Sequence, residues 1–64
     1  MASRLTFYEV QREIKKDCFA QICLCNREED AKRIATTEES LSGNKHYVMK
    51  VEISAEGELT IRHY

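Results

Sequence analysis

The chain has 64 residues, with 10 Lys and Arg against 11 Asp and Glu and a net charge of −1. A chain of that length makes one domain and buries only about 60% of the surface its unfolded form exposes, which argues against a deep catalytic pocket. The balanced charge argues against a protein held on nucleic acid by a basic surplus, although it leaves room for a local cationic patch.

Residues 5–25 admit two readings. As a helix, Phe7, Val10, Ile14, Cys18, Ile22 and Cys25 form one stripe behind a capping box at Thr6 and Glu9. As strands, Leu5 to Ile14 and Cys18 to Cys25 flank a tight turn at Lys15-Lys16-Asp17, with Cys18, Ala20, Ile22 and Leu24 on one face. Periodicity leans to the helix. Packing leans to the strands, because a lone hairpin under one small helix is marginal and two more strands supply the missing surface.

A helix is expected from Asn26 onward. Asn26 and Glu29 have capping-box spacing, acidic residues fill the first turn, and Ser42-Gly43-Asn44 ends the run. Its apolar stripe is Ala31, Ile34, Ala35 and Leu41, narrow enough to lie close on a sheet. At about 100° per residue, Lys32 and Arg33 point away from that stripe, with Glu29, Thr36, Glu39 and Ser40.

The last third, "KHYVMKVEISAEGELTIRHY", holds two alternating runs around Ala55-Glu56-Gly57. A three-residue loop with Gly in the left-handed position opposes Ser54 to Glu58. It pairs Ile53 with Leu59, Val51 with Ile61 and Met49 with His63. Tyr47, Met49, Val51 and Ile53 then share a face with Leu59, Ile61 and His63, while Lys50, Glu52, Thr60 and Arg62 take the other. The expected fold is α+β, a ββαββ antiparallel sheet packed on one helix, with ααββ as the alternative.

Little in the chain suggests chemistry. Cys18, Cys23 and Cys25 are odd in number and "MASRLTF" leads into no apolar signal core, which points to free thiols in a reducing cytosol and a cytoplasmic protein. No apolar run is long enough to span a membrane. On a strand or on a helix only two of the three thiols converge, so neither a zinc site with His46 and His63 nor any cofactor is expected. Nothing marks a thiol for activation, neither histidine has a matched nucleophile, and Gly43 and Gly57 are explained by a helix stop and a turn. The chain reads as a non-enzyme.

Two surfaces stand out. Phe19, Cys23 and Cys25 fall together on the outer face of the second strand, a semi-apolar patch suited to a homodimer or a partner. The aromatics Phe7, Tyr8, Phe19, Tyr47 and Tyr64 are not interleaved with enough Lys or Arg for a single-strand platform. Lys32 and Arg33 make a cationic pair on a rigid helix, and Lys15 and Lys16 in the first turn can extend it toward acidic protein groups or a nucleic-acid backbone.

"EVQ" at 9–11, "AKRIA" at 31–35 and "VMKVE" at 48–52 resemble, in order and spacing over residues 7–53, a small phage-encoded anti-CRISPR family that inhibits the type I-F surveillance complex. At 36–39 "TTEE" is more acidic than that family's pattern. The resemblance implies a sheet backed by one helix, and a non-enzymatic inhibitor that docks on the repeated backbone subunits of the host ribonucleoprotein and obstructs target DNA. It also implicates Lys32 and Arg33 in the contact. An inhibitor or adaptor of another bacterial machine, or a homodimeric cytosolic module, are the competing readings.

Overall fold

The computed structural model describes residues 4–63, so Tyr64 lies outside them. The element order is β1 (Leu5–Lys15), β2 (Cys18–Cys25), α1 (Glu28–Ser42), β3 (His46–Ile53) and β4 (Leu59–His63). The strands form one antiparallel sheet in the order β2-β1-β3-β4. This is the expected ββαββ architecture, and the ααββ alternative falls.

Local chemistry explains each boundary. β1 runs one residue beyond expectation, and the turn narrows to Lys16 and Asp17, where Asp17 takes a left-handed φ of 61° that Asp tolerates better than most residues. In the second hairpin Ser54 N–H donates to Glu58 O at 2.9 Å and Gly57 N–H to Ser54 O at 3.0 Å. Gly57 sits at φ 87°, and the expected register from Ile53–Leu59 to Met49–His63 is the one observed.

The helix stops as expected. Gly43 is left-handed at φ 77° and its N–H closes on Glu39 O, satisfying a carbonyl that the helix end would leave unpaired. Its start differs from expectation: Arg27 is the cap residue, with no side-chain cap bond, and Asn26 makes no capping box. Glu28, Glu29 and Asp30 in the first turn compensate through their favourable interaction with the positive end of the helix dipole.

The helix packs on β1, β3 and, more lightly, β2, and does not reach β4. The core is small. Val10 and Ala31 are fully buried, Val48 and Ala35 nearly so, and Tyr8, Ile22, Cys23, Cys25 and Ile34 pack around them. Two alanines at the contact let the helix axis lie close to the sheet. Leu41, expected on the same stripe, is instead 77% exposed, because by the last turn the helix has passed the valines it covers.

A bulge corrects the expected faces of β2. Val10 pairs with Cys23 while Gln11 pairs with Gln21, which leaves Ile22 as an extra residue. The extra residue resets the alternation. Ile22, Cys23 and Cys25 all pack under the helix, and Leu24, expected in the core, is exposed. The predicted outer patch of Phe19 with Cys23 and Cys25 therefore does not exist; Phe19 keeps its outward place and both thiols turn in.

Candidate docking surface

The helix covers the less apolar side of the sheet. Val48 lies under it, so alternation along β3 sends Tyr47, Met49, Val51 and Ile53 to the opposite side. By the same register Leu5 and Phe7 of β1 and Leu59, Ile61 and His63 of β4 join them, as do Phe19 and Leu24 of β2. Leu5, Phe19, Leu24, Leu59 and Ile61 are each about half exposed. Among the described residues only Val51 is buried there, at the middle of a row flanked by Phe7 and Ile61.

This face has its own order. The rings of Phe19 and Tyr47 meet edge-on, 5.8 Å between centroids and 76° between planes, across the width of β1. With Met49 and His63 they line a hollow of about 260 Å³ that spans the sheet from β2 to β4. Strand spacing and rise give four strands of this length a footprint of roughly 500 Å², which the apolar side chains share with Glu9, Gln11 and Glu13.

The polar groups of the face carry one sign. Glu9, Gln11 and Glu13 alternate along the central strand β1, and Gln11 Nε2 donates to Glu9 Oε1 at 2.6 Å. Apart from Lys15, at the irregular end of β1, no Lys or Arg among the described strand residues falls on this side by register. The side beneath the helix is the reverse. There Arg4 pairs with Glu52 at 3.2 Å, and beyond the helix Arg4, Glu52, Ser54, Glu58, Thr60 and Arg62 line a mixed-charge groove.

The cations singled out from sequence separate into two places. Lys32 and Arg33 are exposed on the outer side of α1, as expected, and each is tied to its own helix: Lys32 to Glu28 at 2.9 Å and Arg33 to Asp30 at 3.0 Å. Lys15 and Lys16 line a depression at the end of the sheet with Gly43, Asn44 and Lys45. That depression lies ten residues of helix from Arg33, about 15 Å along the axis. Lys45 is a cation the sequence reading did not single out. Only the fold shows that the helix stop and the first turn meet.

At the same end a polar latch holds the helix to the sheet. Arg12 Nε donates to His46 Nε2 at 3.1 Å and Arg12 Nη2 to Glu38 Oε1 at 3.1 Å. Because Arg can only donate, His46 carries its proton on Nδ1 and gives it to Asn44 O at 2.8 Å. His46 N–H donates to Glu39 Oε1, and Asn44 Nδ2 reaches Glu13 O at 2.9 Å. Together these bonds tie the end of the helix to β1 and β3.

The thiols likewise serve the core. Cys23 and Cys25 lie 3.8 Å apart, sulfur to sulfur. Burial first, and then the hydrogen bond and charge of Cys25 and the charge of Glu38, push the Cys23 thiol from 9.0 to about 11, so it is not a ready nucleophile at neutral pH. Among the described residues no group of three or more His, Cys, Asp or Glu converges on a metal position, and no helix is long and apolar enough to cross a membrane.

No protein-family model, no curated protein and no solved structure matches the chain.

Proposed function

We propose that this protein is a non-enzymatic inhibitor of phage or mobile-element origin that docks on a CRISPR surveillance complex and blocks target DNA. The observation that carries a docking role is the uncovered side of the sheet: a rigid, mostly apolar surface on which Leu5, Phe19, Leu24, Leu59 and Ile61 are exposed. An isolated 64-residue domain gains nothing by leaving these side chains in water, each worth about 1.5–3 kcal/mol on full burial.

The choice of target rests on the resemblance over residues 7–53, and the electrostatics of the open face support it. A groove that grips nucleic acid is lined with Lys and Arg. Glu9 and Glu13, set among apolar side chains with no cation but Lys15 on their own face, suit such a groove. The apolar neighbours supply affinity, and the carboxylates supply register and rate of encounter. Lys32 and Arg33 on the opposite side then contact a second subunit of the repeated backbone, with Lys15 and Lys16 at the end of the sheet.

The test is target-DNA binding by a purified type I-F surveillance complex in the presence of the protein. The wild type should abolish DNA binding. A Phe19→Lys/Leu24→Lys variant should need at least tenfold more protein for the same effect, while its circular dichroism stays unchanged. Lys32→Glu/Arg33→Glu should weaken inhibition by a smaller factor. Absence of inhibition by the wild type removes this target, and full potency of the Phe19/Leu24 variant removes the open face as the docking surface.

A further inference from the structure

The two edges of the sheet are built differently. β2 is blunted by the Ile22 bulge, a feature that discourages further pairing. β4 has none. It is regular over Leu59–His63, exposed at every position, free of proline, and beyond the reach of the helix.

The hairpin geometry sets which backbone groups of β4 are free. Ser54 N–H bonds to Glu58 O, so the alternation of an antiparallel ladder makes Glu52–Thr60 and Lys50–Arg62 the hydrogen-bonded pairs. The N–H and C=O groups of Leu59, Ile61 and His63 therefore point away from β3, to the open side. That is a row of three donors and three acceptors with no strand beside it among the described residues.

We infer that β4 is a pairing edge for a second copy of this chain, joining two four-stranded sheets into one of eight strands across a two-fold axis at Ile61. In that register Ile61 opposes Ile61 of the second copy, Leu59 opposes its His63, and Thr60 opposes its Arg62. All three outward residues are then hydrogen-bonded, as about six bonds in three reciprocal pairs. No like charges face each other, and each cross-strand pair is apolar or neutral-polar on at least one side.

The two-fold keeps the faces in phase. Leu59 and Ile61 continue into their symmetry mates, so the open apolar side of one copy runs directly into that of the other. Stacking the open faces against each other is the competing dimer, and it is disfavoured. It would bring Glu9 and Glu13 of two copies together in a dry interface with no cation but Lys15, at the end of β1, on that face. Edge pairing leaves those carboxylates at the surface.

Five-residue strands bury little area, so the association belongs to the weak, transient class of interfaces, with dissociation in the micromolar range on the order of 1–100 μM. Sedimentation or light scattering of the protein alone should show the mass rise from 7.5 kDa to about twice that over this range. Ile61→Pro removes one outward donor at an edge position, where proline is tolerated, and should remain a monomer throughout.

Amide exchange on the wild type gives a second readout that needs no variant. Protection of the Leu59, Ile61 and His63 amides should rise with protein concentration, while that of Thr60 and Arg62 stays constant. A wild type that stays monomeric at 300 μM, a folded Ile61→Pro variant that still dimerises, or outward amides indifferent to concentration would each overturn the inference. The proposal does not depend on the docking function, and because no target is present in these measurements the two can fail separately.

Discussion

Among the described residues Val10 is the largest side chain with no exposure at all, and it sits where β1, β2, β3 and the helix converge. Val10→Ala should cost about 2 kcal/mol through lost burial and the cavity left behind. A domain of this length holds only roughly 3–10 kcal/mol in total, so the expected fall in Tm is near 10 °C, readable by thermal circular dichroism. Cys23, beside it in the core, contributes in another way. Its thiol is raised from 9.0 to about 11, so below pH 9 it is protonated in both folded and unfolded chains and exacts no penalty. Between pH 9 and 11 the unfolded chain releases its proton first, and stability falls as the pH rises. Wild type should therefore lose Tm faster than Cys23→Ala across that window. Parallel pH curves for the two proteins would show that this thiol plays no part.

At the scale of elements, the closeness of helix to sheet depends on Ala31 and Ala35. Alanine leaves room for the valines below, and a larger residue must lift the helix or strain its own rotamer. Ala31→Leu should lower stability by about 1–3 kcal/mol, seen as a lower urea midpoint with unchanged slope. Thr37→Ala on the exposed side of the same helix should shift it by no more than about 0.5 kcal/mol. The Ile22 bulge decides a matter of equal weight. By adding one residue it draws both Cys23 and Cys25 inward and sends Leu24 out to the open face, so the composition of two surfaces follows from a single irregularity.

The described residues form a two-layer plate, 44 × 24 × 15 Å, with the helix over one part of one face and no described element over the other face. Its length comes from the β3–β4 hairpin, which projects past the helix and is exposed along all of β4. A thin core and a wide bare face follow from one short helix lying on a four-stranded sheet. The helix hides mostly Val and Ala, and larger apolar side chains such as Leu5, Phe19, Leu24, Leu59 and Ile61 stay exposed on the other side. The proposed docking through this face and the proposed pairing through its β4 edge would use different atoms, so one molecule has room for both.

Much of this architecture was legible in the residues. Alternation and a Gly-containing three-residue loop sufficed for the β3–β4 register, and Gly43 after an amphipathic run sufficed for the helix stop, because both depend on neighbours a few positions away. The outward placement of Lys32 and Arg33 followed from helical angle alone. Tertiary structure decided the rest. A bulge is set by how β2 must bend against β1, not by any residue type, so the inward turn of Cys23 and Cys25 left no local mark. Leu41 fits the helical stripe by angle yet finds no sheet beneath it. Alternation also sorts a strand into two faces without saying which one the helix will cover. That choice fell to the side where small residues allow close approach, and it left the more apolar face, the candidate site, open.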